Sequence, residues 1–340
     1  METTGTTTTA AGKKTVSSYS YAAFGKLAGR YFAAALFFYA AMTFFLNGAA
    51  IGEKANINGK GKVLVINSDS TVDKYNLVKA GFLSNINFDK VEINLNDPGM
   101  DETHVSGIIK EESPDIVYTI GTKAYMYAFK LANGRGHVFT AVLNWRRLPV
   151  NDTTYGISDG VPQAIQLNMF HYFFPDLKTV GILYSESYNK SWVDLAVNEG
   201  RNVNISVIGK TVSKPEEVGA SLKELLTQAD AVWLIPDPVV LSKSEYSDII
   251  FKESANAKKP VFAYSLIYKQ DGAVFIITSD IPTTARQSAA LVKELIRNGS
   301  AVNKVQDPAG TFIFLNQKKA MDYGMKLNEE ALPMVNQFAQ

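Results

Sequence analysis

The sequence predicts a two-lobed α/β protein, each lobe a parallel sheet flanked by helices, preceded by an N-terminal hydrophobic helix. Three observations carry this. The chain has 340 residues, 46% hydrophobic and 20% charged, an ordinary globular composition with room for two cores of about 150 residues each. Beyond residue 61, short β-branched runs alternate with amphipathic segments of helical length, and the whole alternation occurs twice. Ahead of residue 53 lies an uncharged apolar stretch, Tyr31–Gly52, behind a leader carrying Lys13, Lys14, Lys26 and Arg30 against Glu2 alone.

That stretch is apolar on every face, and at about 1.5 Å rise per residue it is long enough to span a ~30 Å hydrocarbon layer. Its centre, Ala33–Leu46, also matches the apolar core of an export signal, with Gly48-Ala49-Ala50 offering small residues for cleavage. Residues 1–52 therefore read as a cytoplasmic leader plus a signal peptide or a membrane anchor. The basic flank sends the body to the periplasmic or extracellular face in either case. Residues 53–61 are polar and glycine-containing, a linker.

The first lobe opens with strands at Val63–Ile66, Val91–Leu95, Ile116–Ile120 and Val138–Val142, separated by helices at Val72–Leu83, Asp101–Glu112 and Lys123–Leu131. Strands apolar on both faces and separated by helices belong in a parallel sheet covered on both sides. The second lobe repeats the scheme with strands at Val180–Tyr184, Asn204–Ile208, Ala231–Ile235 and Val261–Ala263. Ser213-Lys-Pro-Glu216 and Ser242-Lys-Ser-Glu245 read as capping boxes opening helices over 214–227 and 243–256. The competing arrangement is one continuous sheet. The last seventy residues favour two lobes: strands at Ala273–Thr278 and Thr311–Leu315 read as crossings, with helices Thr283–Arg297 (stopped by Asn298-Gly299) and Asn316–Met325 added one to each side. Three crossings make a hinge. The partition is then 62–160 with 272–308 for lobe 1, and 161–271 with 309–340 for lobe 2.

Several function classes drop out. A net charge of +1, without a basic stripe, gives no pull toward nucleic acid. Without cysteine there is no disulfide, thiolate metal site, Cys nucleophile or acylated lipoprotein anchor. His104, His137 and His171 lack metal-ligand partners at helical spacing, and no nucleophile elbow or phosphate-cradling glycine loop occurs. The sequence is read as that of a non-enzyme without metal or cofactor.

Binding features are better placed. In open α/β sheets, ligands sit beyond the carboxyl ends of the strands, where helix N-termini present free N–H groups. Candidate residues there are Ser68, Asp69 and Ser70 after the first strand, and Gly121 and Thr122 after the third. Asn144 follows the fourth and Ser185, Ser187 and Ser191 the fifth. Asp237 sits in Pro236-Asp-Pro238, and Tyr264 follows Val261–Ala263. The plainer reading of each loop is a cap or turn, since Ser, Asp, Asn and Gly are the usual residues there. Their shared edge favours binding.

Six segments, Pro114-Asp-Ile-Val-Tyr-Thr-Ile-Gly-Thr122, Tyr155-Gly-Ile-Ser158, Pro175-Asp-Leu-Lys-Thr-Val-Gly-Ile-Leu-Tyr184, Ala229-Asp-Ala-Val-Trp-Leu-Ile-Pro-Asp237, Lys259-Pro-Val-Phe-Ala263 and Asp271-Gly-Ala273, follow in this order along the chain. Through them, from Lys62 to Phe338, the chain resembles the periplasmic substrate-binding proteins of ABC importers, in the group associated with tryptophan, tyrosine and related solutes. The resemblance implies a type I periplasmic-binding-protein-like fold closing on a small-molecule ligand, an amino acid or aromatic acid, with an ABC permease as partner and Tyr31–Gly52 as the membrane contact. It implies that the Thr122 loop holds a ligand carboxylate, that Ser187 and Ser191 assist from the other lobe, and that Asp237 accepts from a ligand ammonium. The chain departs from the family pattern at Ser185-Glu186, Tyr188-Asn-Lys-Ser191, Asn144-Trp145 and Asp280-Ile281, so the loops that shape specificity have changed. The alternative function is an anchored sensory or structural partner that reuses the same shell.

Overall fold

The computed structural model describes residues 61–132 and 134–339; the Tyr31–Gly52 segment and all but the last residue of the expected linker lie outside these. The first strand, β1 (Lys62–Asn67), shows why the sheets are interior: Val63, Leu64, Val65 and Ile66 are all fully buried, so both faces are covered. It is followed by α1 (Asp73–Leu83), β2 (Asp89–Asn94), α2 (Glu102–Glu112), β3 (Ile116–Ile120), α3 (Thr122–Leu131), β4 (Gly136–Thr140) and β5 (Thr154–Ile157). Together with the two-residue β11 (Val305–Gln306) they form one six-stranded sheet, ordered β11-β5-β4-β3-β1-β2 and parallel throughout.

The second sheet takes β6 (Thr179–Tyr184), β7 (Ser206–Thr211), β8 (Ala231–Trp233), β9 (Val261–Ala263), β10 (Phe275–Ser279), β12 (Thr311–Leu315) and β13 (Gln337–Phe338). Its order is β13-β12-β10-β9-β8-β6-β7, parallel except where β12 runs against β10. Its helices are α4 (Gln163–Phe173), α5 (Glu186–Asn202), α6 (Val218–Leu226), α7 (Ser244–Asn256) and α9 (Gln317–Asp322). One face carries an aromatic core of Phe170, Phe173, Phe174, Trp233, Phe262 and Phe275; the other packs Leu222, Leu225 and Leu226 against Ile250 and Phe251. The remaining helix, α8 (Ile281–Asn298), returns to the first sheet, where it packs on α1.

Several expectations need correction. The strand expected over Ala273–Thr278 was assigned to lobe 1 and, like Thr311–Leu315, read as a crossing. β10 and β12 instead pair with each other inside the second sheet, with registers such as Ile277↔Ile313. A buried apolar run has the same letters whether it bridges two sheets or completes one. The capping boxes do not form either. Lys214 and Lys243 occupy the N-cap positions without side-chain caps, and the Ser213 N–H is met by Glu217 rather than Glu216 (2.9 Å). One helix falls where the sequence reads as a loop: α5 begins directly after Ser185.

The chain passes between the sheets after β5, after β10 and after β11, and these crossings are stitched to one another. Ser158 N–H donates to Gln306 O (2.8 Å), Asp280 N–H to Gly310 O (3.0 Å), and Ser279 Oγ to Asp159 Oδ1 (3.3 Å). Asp280 also caps α8 through Thr283 N–H (2.9 Å), and Gly299 at φ +74° closes that helix at its expected stop.

Candidate functional site

At the first sheet's carboxyl edge, α3 begins tightly because of Gly121. Its φ is +86°, and a Cβ there would lie 2.6 Å from Ser68 Oγ and 2.8 Å from the Tyr75 ring. Gly121 has no side chain to cap the helix, so Ser68, buried on the neighbouring loop, accepts from Ala124 N–H (2.9 Å). The first N–H groups of α3, at Thr122, are left facing outward as in any helix start. Asp69 and Ser70 are engaged locally: Asp69 Oδ1 accepts from Thr71 N–H (2.8 Å), Thr71 Oγ1 (2.7 Å) and Asn96 Nδ2 (2.7 Å), while Ser70 donates to Asn96 Oδ1. The Thr71 backbone bond, more than any other contact, holds the Asp69 carboxyl below its ordinary range.

The second sheet's edge is built around one carboxylate. Asp237 is 1% exposed and accepts from Ser185 N–H (2.7 Å), Ser185 Oγ (2.8 Å), Asn189 Nδ2 (2.6 Å), Val239 N–H (2.9 Å) and Val240 N–H (3.1 Å). Five donors saturate it. Asp237 ties the start of α5 to the turn after β8, and its carboxylate is occupied by protein donors. Ser187 and Ser191 sit on the exposed face of α5, away from this cluster, because the helix turns Asn189 inward in their place.

The two edges meet. Asn144 Nδ2 donates to Pro236 O across the gap (3.1 Å), and Arg147 donates to Asn189 Oδ1 (2.5 Å) with its guanidinium 5.2 Å from the Tyr188 ring centre. Arg147, Asn189 and Asp237 thus form a relay from one lobe to the other. Burial is the main influence on the Arg147 cation and disfavours it, with Asp237 opposing. Near the crossings, Lys74 Nζ holds Asp159 at 2.6 Å. Tyr264 reaches Tyr268 (3.3 Å between hydroxyls), and burial pushes its phenol pKa upward.

Of the residues expected at the site, Asn144, Ser185 and Asp237 therefore meet at one junction. Ser68, Gly121 and Thr122 form a second cluster at α3, while Ser187 and Ser191 lie exposed on α5 apart from both. Arg147, Asn189, Lys74 and Asp159 were missed. Arg146-Arg147 directly follows Asn144-Trp145, where the chain departs from its look-alikes, and Asp159 directly follows Tyr155-Gly-Ile-Ser158, so both stood beside residues already singled out. Two hollows are present, one of about 430 Å³ beside Asp152, Lys304 and Trp145, the chain neighbour of Asn144, and one of about 230 Å³ beside Asp230 and Lys259. No group of three or more His, Asp or Glu among the described residues is placed to hold a metal. No described helix is long and apolar enough to cross a membrane.

Comparison with known proteins fits this geometry. The family model described as ABC transporter substrate binding protein matches residues 62–338. No curated protein matches the chain. Among solved structures, the chain is similar to ligand-free, open CD0873, a substrate-binding protein with adhesive properties from Clostridium difficile (19% identity, 82% of this chain, 99% of that one, TM-score 0.64). It is also similar to a conserved domain protein from Vibrio cholerae (19%, 82%, 99%, 0.55). A third is an ABC domain from Streptococcus pneumonia in complex with L-Trp (17%, 82%, 100%, 0.54). At these identities the structures speak for the fold, which is the type I periplasmic-binding-protein arrangement of two α/β lobes, and the family match covers most of the chain. The chain belongs to the ABC transporter substrate-binding protein family.

Proposed function

We propose that this protein captures a small molecule between its two lobes, outside the cytoplasm, and delivers it to an ABC permease without chemical change. The observation that carries the reading is the facing of two polar carboxyl edges, joined across the gap by Asn144–Pro236 and Arg147–Asn189, on lobes linked by three crossings. Such a joint lets a bound solute stabilise the closed form by differential contact alone. Membership of the substrate-binding family supports the importer role, and the L-Trp complex of the pneumococcal protein makes amino acids and aromatic acids the first solutes to try.

Thermal unfolding against a library of amino acids and aromatic acids tests this. The expected result is stabilisation that grows with concentration, reaching about 2.7 kcal/mol at a hundred times Kd. A folded protein whose melting is unmoved by every small solute contradicts it. N-terminal sequencing of the exported protein decides the route to the membrane: a start near Ile51 marks a released receptor, an intact Met1 a tethered one.

A further inference from the structure

We propose that the solute is an acid, anchored through its carboxylate by Arg147; the inference deepens the receptor reading above and rests on it. It follows from which charges of the crevice are already satisfied. Asp237 is saturated by five donors. Asp159 is paired with Lys74 and bonded to Ser279. Asp69 is engaged by Thr71 and Asn96. Asp237 and Asp159 are thus saturated or paired, and only Asp69, whose three donors all fall on Oδ1, keeps an oxygen, Oδ2, without a protein partner.

Arg147 stands in the opposite condition. A guanidinium carries five N–H donors in a planar fork that matches a carboxylate. Among the described residues, the Arg147 side chain has one hydrogen bond, to the neutral amide oxygen of Asn189, and no ion pair. It is half-buried at the lobe junction, and the acid that acts on it, Asp237, is bonded to it only through Asn189. A partly desolvated cation with unused donors, placed where two lobes close, is matched by an anion brought in from outside. The Tyr188 ring lies against the guanidinium and is itself half exposed.

The test uses acid–amide pairs of increasing size (propionate, hexanoate, 3-phenylpropionate and indole-3-acetate with their amides) and 2-phenylethylamine, titrated by calorimetry against the protein and its Arg147→Ala and Arg147→Lys variants. Expected is an acid that binds about 10- to 100-fold more tightly than its amide, a preference abolished in Arg147→Ala and partly restored in Arg147→Lys. If Arg147→Ala weakens acid and amide alike, Arg147 is only a latch between lobes and the inference is overturned while the receptor reading stands. Tightest binding of the amine overturns it in the same way. If no probe or amino acid binds the folded protein, the receptor reading falls and takes the inference with it.

Discussion

At the second lobe's edge a buried carboxylate gathers five donors, whereas the first lobe's edge carries neutral Ser68, Gly121, Thr122 and Asn144 beside a cation with donors to spare. The first arrangement is finished within the chain and fixes the geometry of α5. The second is unfinished, because helix N–H groups at α3 and the Arg147 fork still lack acceptors of full charge. Residues of the same chemical type thus have opposite uses on the two sides. A satisfied polar group is architecture, and an unsatisfied one at a closing joint is where a solute is read.

The contrast breaks most visibly at Asp237. Replacement by alanine strands Ser185, Asn189, Val239 and Val240 donors in a buried site and should cost about 3–5 kcal/mol, read as lowered Tm, with faster hydrogen exchange confined to the start of α5 and the turn after β8. Unchanged stability would show that the carboxylate is no keystone and reopen it as a ligand acceptor. On the first lobe His137 is a buried polar liability. It is 2% exposed, bonded to Thr119 Oγ1 through Nε2 (2.9 Å), and burial depresses its pKa to about 3 from 6.5. The unfolded chain then binds a proton that the folded one refuses between these values. The stability is fully present above pH 6.5 and falls as pH drops toward 3, by up to ~5 kcal/mol. Denaturant titrations at several pH values check this against His137→Gln, whose stability should lose that part of the slope.

A smaller effect is expected at Gly121. Alanine there meets a positive φ and the crowding of Ser68 and Tyr75, so about 1–3 kcal/mol should be lost, together with affinity for any carboxylate held at the α3 terminus. Smallest of all, Ser187→Ala and Ser191→Ala should stay within about 0.5 kcal/mol in stability and leave binding unchanged, since both point to solvent. A marked loss of binding at either would restore the role that the family resemblance implies for them.

The layering of the fold was legible because parallel strands buried on both faces announce themselves as apolar runs, as in Val63–Ile66 and Ile116–Ile120. Partner choice was not: nothing in Phe275–Ser279 distinguishes a crossing from a strand pairing β9 and β12. The site divided in the same way. Gly121 and Ser68 were visible as a helix start. Asp237 was visible, but its bonds to Ser185 and Asn189 join positions about fifty residues apart that only tertiary structure assembles. Arg147 lay three residues beyond Asn144, and its importance depends on Asn189 lying across the gap, a relation that sequence spacing does not carry.

Closure of the two lobes about the three crossings, with Arg147 at their junction, can be measured directly because the chain has no cysteine to interfere with labelling. Spin labels at Leu77→Cys and Ser191→Cys, both exposed and one in each lobe, report the interlobe distance by double electron–electron resonance. The distribution should shorten and narrow when a solute that raises Tm is added, and lengthen in the Arg147→Ala background. A single distribution, unchanged by solute and by the loss of Arg147, would contradict the account.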